Sequence, residues 1–330
     1  MASQEIRKVS EAYPMKGGDG PDSYAKNSTY QREAMESVKE LVTKGIAEKL
    51  DIDLLLPSNS FHIADLGCSV GPNTFSSVEN ILEAVELKFQ GQGLMNPRIS
   101  SSFYGRLFPS ASIHLFHSSF ALQWLSEVPK VLEDKNCPAW NKGRIHYLSS
   151  TDEAVRAYKA QYAKNMESFL HARAQELVYG GLMVLIIPGY PQGTPLSHSV
   201  AYLTLRLIEA CLIDMVKKGV ISEEKLYSFN IPMYSMCPQE LEAVVEQNGS
   251  FSIETLETLP RVLADDAVLN AKQFAAHGRA AFEGLIKQQF GKKITNELFD
   301  LYGKKLEEEL SMFKPRKTTS FLVVLKRKEK

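Results

Sequence analysis

The sequence predicts an α/β protein built on a mainly parallel sheet. Two apolar segments, Phe61–Asp65 and Leu182–Ile187, have the continuous hydrophobicity of strands that are buried on both faces. The first is followed by Gly67 and Gly71 and then by apolar residues at helical spacing. Strands and helices alternate along most of the chain, and this alternation is typical of a parallel sheet covered by helices.

Length and composition restrict the class of protein. The 330 residues are 44% hydrophobic and carry a formal net charge of −1, which suits one large domain and argues against a nucleic-acid partner. No apolar segment reaches the roughly 18 residues of a membrane span. The four cysteines are widely spaced and nothing resembles a signal peptide, so we expect a soluble cytoplasmic protein. The seven histidines are scattered, which disfavours a catalytic zinc.

The remaining elements follow from periodicity and from turn residues. Helices are predicted from residue 23 to 46, after residue 73, from 150 to 170, from 197 to 216, near 238–247 and through most of 267–310. Strands are predicted at 112–117, 144–148, 251–257 and 319–326. A capping box at Ser150–Glu153 is expected to start one long helix, and Gly180 with Gly181 to end it. Residues 1–23 are polar and predict a mobile arm or lid.

The glycine turn after the first strand predicts a ligand site. Asp65 stands at the end of the strand, where an open α/β sheet binds its ligand, and Gly67 allows close backbone approach. The spacing is neither G-x-G-x-x-G nor a P-loop, so a nucleoside ligand of another kind is favoured. The alternative is a glycine turn that serves packing alone.

Separate motifs along the chain resemble the plant SABATH methyltransferases, which act on salicylate, benzoate, jasmonate and theobromine-type substrates. The matching segments are Ser23–Ser28 with Gln31, Asp65–Asn73, Ser102–Pro109, His117–Ser126 and Phe229–Tyr234. The resemblance covers nearly the whole chain. It implies a Rossmann-like class I methyltransferase fold, a mainly parallel sheet with a helical cap, with S-adenosylmethionine (SAM) as cofactor and a homodimeric assembly.

On this basis we expect a single methyltransferase domain over residues 1–330. Its SAM-binding core would comprise about 24–195, 250–260 and 318–328. The helical cap would comprise about 196–247 and 262–315.

The resemblance also implies roles for individual residues. SAM would be held by Tyr24, Ser28, Asp65, Gly67, Asn73, Ser102, Phe103, Ser119, Phe120 and Ala121. The acceptor would be bound by Tyr24, Gln31, Phe120, Gln123, Trp124 and Tyr234. Gln31 and Trp124 would be the catalytic pair, tethering the acceptor carboxylate. Phe120 and Gln123 are expected to flank Trp124 on one helical turn.

The chemistry of these residue types is consistent with methyl transfer to a carboxylate. A carboxylate has a reference pKa of about 4 and is already ionised, so the reaction needs no general base. It needs an oxygen aligned behind the sulfonium methyl in a site sheltered from water. The Gln31 amide and the Trp124 indole N–H can orient the two oxygens, while aromatic rings such as Tyr24 suit a cationic sulfonium. The alternative for Trp124 is an apolar core anchor.

Two features depart from the family pattern. No Asp or Glu occurs between Glu86 and Glu127, so the acid that binds the SAM ribose, and one sheet strand with it, is expected to be missing. The family's magnesium site would map to Asn141, the Phe229 backbone oxygen and Asn230, but Tyr227 stands where an acid is expected.

Three hypotheses follow from this reading. The first is SAM-dependent methylation of the carboxylate of a small plant acid, giving a methyl ester. The second is an inactive or weakly SAM-binding paralogue or splice product, and the third is N-methylation of a purine-like base. The sequence does not name the acid, because pocket shape depends on cap residues such as Pro188, Leu205 and Ala281.

Overall fold

The computed structural model describes residues 15–50, 61–67, 73–89, 94–95, 102–259, 270–313 and 319–329. Within these residues the centre of the fold is a six-stranded sheet with the strand order β2-β1-β3-β4-β6-β5. The strands are β1 (Phe61–Asp65), β2 (Leu94–Met95), β3 (Ile113–Ser119), β4 (Leu177–Gly189), β5 (Phe251–Thr258) and β6 (Thr319–Arg327).

The sheet is mainly parallel, which confirms the predicted fold class. β1 pairs in parallel with β2 and β3, and β3 pairs in parallel with β4. β6 runs antiparallel to both β4 and β5, between which it lies. The continuous burial of β4 and β6 follows from their central position, because helices cover both faces of the sheet there.

Helices make up the rest of the described fold. They are α1 (Tyr24–Asn27), α2 (Thr29–Ser37), α3 (Lys39–Lys49), α4 (Asn73–Phe89), α5 (Asp152–Glu176), α6 (Val200–Lys217), α7 (Glu223–Tyr227), α8 (Pro238–Asn248), α9 (Ala271–Phe290) and α10 (Lys292–Glu309). Two apolar clusters lie on the faces of the sheet. A third joins α6, α9 and α10 into a helical layer. No described helix is long and apolar enough to cross a membrane.

The sheet is short at the edge where a strand was expected to be missing. The two residues of β2 pair with Phe61 and His62 alone. Among the described strands, none lies on that side of Ile63–Asp65, the half of β1 that leads into the Gly67 turn. Among the described residues, the strand at this edge is the two-residue β2, which pairs with the start of β1.

Several predicted boundaries are wrong. The helix expected over 23–46 is three segments, and 144–148 is a turn that enters a 3₁₀ helix at Tyr147–Ser149 instead of a strand. The N-cap of α5 is Thr151, whose hydroxyl accepts from the Ala154 N–H. Ser150 instead donates its hydroxyl to Asn141, a tertiary contact that local sequence does not indicate.

Gly180 and Gly181 lie inside a strand and do not end a helix. The helix ends at Glu176, and β4 begins at the next residue. Gly180 has φ 76°, and a Cβ on Gly181 would stand 2.9 Å from the carbonyl oxygen of His114 on β3. The glycines are needed because β4 approaches β3 closely where their register shifts.

The described part of the polar N-terminal segment is docked on helix α9. Lys16 forms ion pairs with Glu283 at 2.9 Å and with Asp22 at 3.2 Å. The half-buried His277 ring donates a hydrogen bond of 2.9 Å from Nδ1 to the Asn27 carbonyl oxygen. Burial lowers the pKa of His277, so the ring is neutral in this contact. Residues 1–14 lie outside the described residues.

Replacing Gly189 by Ala should destabilise the end of β4. The added Cβ would overlap the Met236 carbonyl oxygen and stand 3.0 Å from the Phe321 ring, at a cost of about 1–3 kcal/mol. Chemical denaturation measures the change. The control is Gly303→Ala in the interior of α10, where a Cβ meets nothing within 4 Å and should stabilise by up to about 1 kcal/mol. Equal stability of both variants would contradict this packing.

Candidate active site

Two sharp turns meet at the carboxyl edge of the sheet. The turn after β1 contains Gly67 with φ 73°, and the turn after β3 begins at Phe120. A Cβ on Gly67 would overlap the Ala121 side chain and stand 3.1 Å from Phe103 Cε1. Glycine is required at this position both by its left-handed backbone and by the contact between the turns. This is the place where a doubly wound sheet binds its ligand.

Asp65 links the two strands at this edge. Its carboxylate accepts a hydrogen bond of 2.7 Å from His117 Nδ1, and both side chains are buried. The Ser118 hydroxyl donates to the Leu66 carbonyl oxygen at 2.9 Å. One carboxylate oxygen of Asp65 is thus used to hold the site together. Asp65 is positioned at the predicted place, with a structural role in addition to the predicted contact with SAM.

The segment after β3 is a strained turn and not the helical turn that was expected. Phe120 has φ 52°, an uncommon conformation for a bulky residue. Two hydrogen bonds hold the turn. The Phe120 N–H donates to the Ile186 carbonyl oxygen at 2.9 Å, and Gln123 Nε2 donates to the Phe120 carbonyl oxygen at 2.8 Å. Such strain is found mainly where surrounding structure fixes a functional geometry.

Trp124 lies where this turn meets the helical layer. Its backbone forms an isolated bridge with Met233, and its ring makes an edge contact with Phe282, with centroids 5.9 Å apart. Its carbonyl oxygen accepts from the Tyr104 hydroxyl. The indole Nε1 is buried and has no hydrogen-bond partner among the described residues. An apolar anchor alone would not explain a buried donor left in this state.

Helix α2 brings Gln31 to the same edge. Ser28, the N-cap position of α2, receives a 2.9 Å hydrogen bond at its hydroxyl from Asn73 Nδ2 at the start of α4. Met35 lies one helical turn after Gln31, and its sulfur accepts from the Ser119 hydroxyl at 2.9 Å. Residues four apart share a helix face, so Gln31 is directed towards the end of β3. Its Oε1 is buried and unpartnered among the described residues.

Several buried polar atoms that lack a partner among the described residues belong to the predicted site residues or to their motifs. Buried side-chain atoms without a partner in the described structure include Ser23 Oγ, Gln31 Oε1, Asn73 Oδ1, Gln123 Oε1 and Trp124 Nε1. Leaving such atoms unpaired costs about 1–3 kcal/mol each. They are explained together if a polar ligand occupies the site. Ser23 was not singled out from the sequence as an individual site residue, although it opens one of the motifs.

Aromatic rings line the cofactor side of the site. Phe103 packs on Tyr104 with centroids 4.7 Å apart and lies against the Gly67 turn, and Ser102 precedes it in the same loop. Tyr24 is half-buried in α1, and desolvation raises its pKa to about 12. A neutral phenol and a phenyl ring suit the sulfonium of SAM, because both present a negative π-face without a charge.

Tyr234 does not share the surroundings of Trp124. Its ring packs between Tyr147 and Tyr162, with centroids 5.0 and 5.1 Å away, and its hydroxyl donates to Glu240 at 3.0 Å. Met233, the preceding residue, lies in the apolar cluster with Trp124. Successive residues of an extended segment face opposite sides, so Met233 lies on the side of Trp124 and the Tyr234 ring on the other side. The Tyr234 N–H donates to the Gln123 carbonyl oxygen at 2.8 Å, and the role of Tyr234 in binding the acceptor stays a prediction.

The residues implied for magnesium do not fit a hard cation. The Asn230 side-chain oxygen accepts from Asn141 at 2.6 Å, and the Asn141 oxygen accepts from Ser150. Tyr227 brings no carboxylate, and its ring packs on Trp140. No group of three or more metal-binding side chains occurs among the described residues. Because both amide oxygens are engaged and a tyrosine stands at the position of the acid, magnesium is not supported.

The fold and this site define a methyltransferase. A family model described as SAM-dependent carboxyl methyltransferase matches residues 10–101 and 95–328. Loganic acid O-methyltransferase of Catharanthus roseus is 40% identical, with 96% of this chain and 95% of that protein aligned. The solved structure of loganic acid methyltransferase with SAH superposes with a TM-score of 0.91 at 39% identity, covering 96% and 99% of the two chains. The chain belongs to the SABATH family of SAM-dependent carboxyl methyltransferases.

Other relatives show the range of the family. Farnesoic acid carboxyl-O-methyltransferase of Arabidopsis thaliana is 31% identical, with 97% of this chain and 100% of that protein aligned. A 3,7-dimethylxanthine N-methyltransferase of Camellia sinensis var. assamica is 32% identical, with 96% and 97% aligned. The activities of these relatives therefore include both carboxyl and nitrogen acceptors.

The comparisons also show where this chain departs from the family. The family model matches in two parts that meet at 95–101. The alignment with loganic acid O-methyltransferase spans 353 positions, whereas this chain has 330 residues, so that relative has segments without a counterpart here. The break at 95–101 follows β2, where the sequence lacks the expected ribose acid.

Replacing Gly67 by Ala should block the cofactor side of the site. The new Cβ would push apart Ala121 and Phe103, and we expect SAH binding to weaken by at least about tenfold. Isothermal titration calorimetry with SAH measures this change. The control is Gly105→Ala in the neighbouring loop, where a Cβ meets nothing within 4 Å. Undiminished SAH binding by the Gly67 variant would place the cofactor elsewhere.

Proposed function

We propose that this methyltransferase transfers the methyl group of SAM to the carboxylate of a small acid, giving a methyl ester. The observation that carries the proposal is the pair of buried, unpartnered polar groups on Gln31 and Trp124. An indole N–H and a carboxamide, which presents an N–H₂ after rotation about its last bond, are suited to the two oxygens of one carboxylate. The carboxyl methyltransferases among the relatives support the same acceptor.

The residues of this chain would act by binding and orientation. The carboxylate is ionised near neutral pH, so no proton has to be removed before transfer. Two neutral donors fix the direction of the attacking oxygen and leave its charge intact. Helix α2 packs on the end of β3 through the hydrogen bond from Ser119 to the Met35 sulfur, and this packing would limit water at the reacting atoms.

Trp124→Phe should selectively impair acid methylation. The variant keeps an aromatic ring against Phe282 but removes the N–H, a hydrogen bond to a charged group worth about 1.5–3 kcal/mol. We expect kcat/KM for the acid to fall by roughly 10–100-fold, with little change in SAH affinity. A screen of small acids with labelled SAM, followed by SAH calorimetry, measures both effects.

The matched control is Trp140→Phe, because the chain has only two tryptophans. Trp140 makes an edge contact with Tyr227 outside the site, so its replacement should leave methyl transfer unchanged. Equal losses in both variants would mean that Trp124 acts through packing. If Trp124→Phe lost SAH affinity as much as acid methylation, Trp124 would belong to the cofactor side and not to the acceptor side.

The cofactor side supports a second candidate, a protein that binds SAM weakly and transfers slowly. No acid lies between Glu86 and Glu127 to receive the ribose hydroxyls. In the described part of the chain, β2 pairs with the first two residues of β1 and not with the half that leads into the Gly67 turn. Two charge-assisted hydrogen bonds of about 1.5–3 kcal/mol each would be lost, or roughly two to four powers of ten in affinity.

Restoring an acidic strand should therefore strengthen SAM binding. In the test, residues 92–98 are replaced by a strand segment that ends in an Asn-Asp pair. We expect SAM affinity to rise by at least about 100-fold, together with greater thermal stability, because the edge of β1 gains a partner. Calorimetry and thermal melts on both proteins decide the matter. Micromolar SAM binding by the unmodified chain would mean that another group already binds the ribose.

A further inference from the structure

A fully buried ion pair lies beneath the loop that carries Ser102 and Phe103. Arg173 and Glu176 occupy neighbouring turns of α5, are 2.7 Å apart and have no exposed side-chain surface. The guanidinium lies 5.1 and 5.4 Å from the ring centroids of Phe116 and Phe169. A buried ion pair is weak evidence for stability, since an apolar pair of similar size is often as stable. Its presence here calls for another explanation.

Both members of the pair bind the backbone of the loop 102–109. Arg173 donates to the Phe103 carbonyl oxygen at 2.9 Å and to the Gly105 carbonyl oxygen at 2.8 Å. Glu176 Oε1 accepts from the Leu107 N–H, and from the Phe108 N–H at 2.9 Å. Two side chains thus bind four backbone groups within six residues of the loop. These backbone groups have no partner in a helix or sheet, so the two side chains satisfy them instead.

The loop contacts the site directly. The Phe103 ring lies against Gly67, and the Tyr104 hydroxyl donates to the Trp124 carbonyl oxygen. A shift of Phe103 would therefore change the cofactor side, and a shift of Tyr104 would change the position of Trp124. The loop is connected to strand β2 by residues 96–101, where the family match breaks. The contacts with α5 are consequently a main support of the described loop.

We propose that Arg173 and Glu176 are positioning residues that hold the loop 102–109 in the geometry that binds SAM. The proposal rests on the proposed function, because it takes this loop as part of the cofactor site. A planar guanidinium reaches two carbonyl oxygens and a carboxylate at once, which a lysine ammonium cannot reproduce. The carboxylate completes the arrangement by accepting from two N–H groups of the same loop.

The test compares the double variant Arg173→Met/Glu176→Leu with the unmodified chain. Replacing both members avoids leaving one buried charge alone, so the fold should persist in thermal melts. We expect hydrogen exchange of the Leu107 and Phe108 amides to accelerate by at least about tenfold, and the SAH dissociation constant to rise by at least about tenfold. Arg173→Lys should show intermediate values of both quantities.

The control uses a second Arg–Glu pair with the same three-residue separation on α5. Arg156 and Glu153 form an ion pair of 2.7 Å but are largely exposed. The variant Arg156→Met/Glu153→Leu should change neither the loop amides nor SAH binding. It separates a specific effect on the loop from a general loss of charge on this helix.

Two results would overturn the positioning role. One is unchanged amide exchange in the double variant, and the other is faster exchange with unchanged SAH affinity. If the double variant does not fold, Arg173→Lys decides by the same two measurements. If the unmodified chain binds no SAH, the proposed function fails, and amide exchange in the ligand-free protein then decides whether the pair holds the loop.

Discussion

The site depends on the contact between two strand-end turns. Gly67 after β1 and Ala121 after β3 approach so closely that no side chain fits at the glycine. The pairing of Asp65 with His117 and the hydrogen bond from Ser118 to Leu66 fix this approach. The other site residues are positioned relative to this contact. Phe103 packs against Gly67, and Phe120 and Trp124 lie on either side of Ala121 in the chain.

The acceptor and cofactor sides are supported differently. On the predicted acceptor side, three separate contacts fix Trp124. They are the backbone bridge to Met233, the ring contact with Phe282 and the hydrogen bond from the Tyr104 hydroxyl. On the predicted cofactor side, the described part of β2 is two residues long, and the sequence lacks the acid expected there. This asymmetry gives a physical reason to measure cofactor binding and acid binding separately. We propose that the buried Arg173–Glu176 pair on α5 supports the cofactor side by holding the loop 102–109.

Several site residues have structural partners that constrain their function. Asp65 uses one oxygen for His117, and Asn73 uses its amide nitrogen for Ser28. Asn141 and Asn230 bind each other, so the loop after Asn141 is tied to the segment before Pro232 without a metal ion. Tyr234 belongs to a tyrosine cluster that ends on Glu240. Polar residues in a matching motif can therefore serve the scaffold as well as a ligand.

The sequence by itself determined the class of fold and predicted a set of site residues. Continuous apolar segments predicted the central strands, and helical spacing predicted α4, α6 and α8, because these patterns are local. The turn at Gly67 and the missing acid before Glu127 were likewise visible in the sequence. The motifs then predicted the family, which the comparisons confirm.

Only the tertiary structure decided how these residues meet. Gly180 and Gly181 end a helix by local rules, yet the close approach of β4 to β3 places them in a strand. The left-handed Phe120 turn and the placement of Met233 beside Trp124 depend on contacts between distant segments. The backbone hydrogen bonds of a loop to buried side chains have no local signature, and Arg173 and Glu176 were therefore recognised from the structure alone.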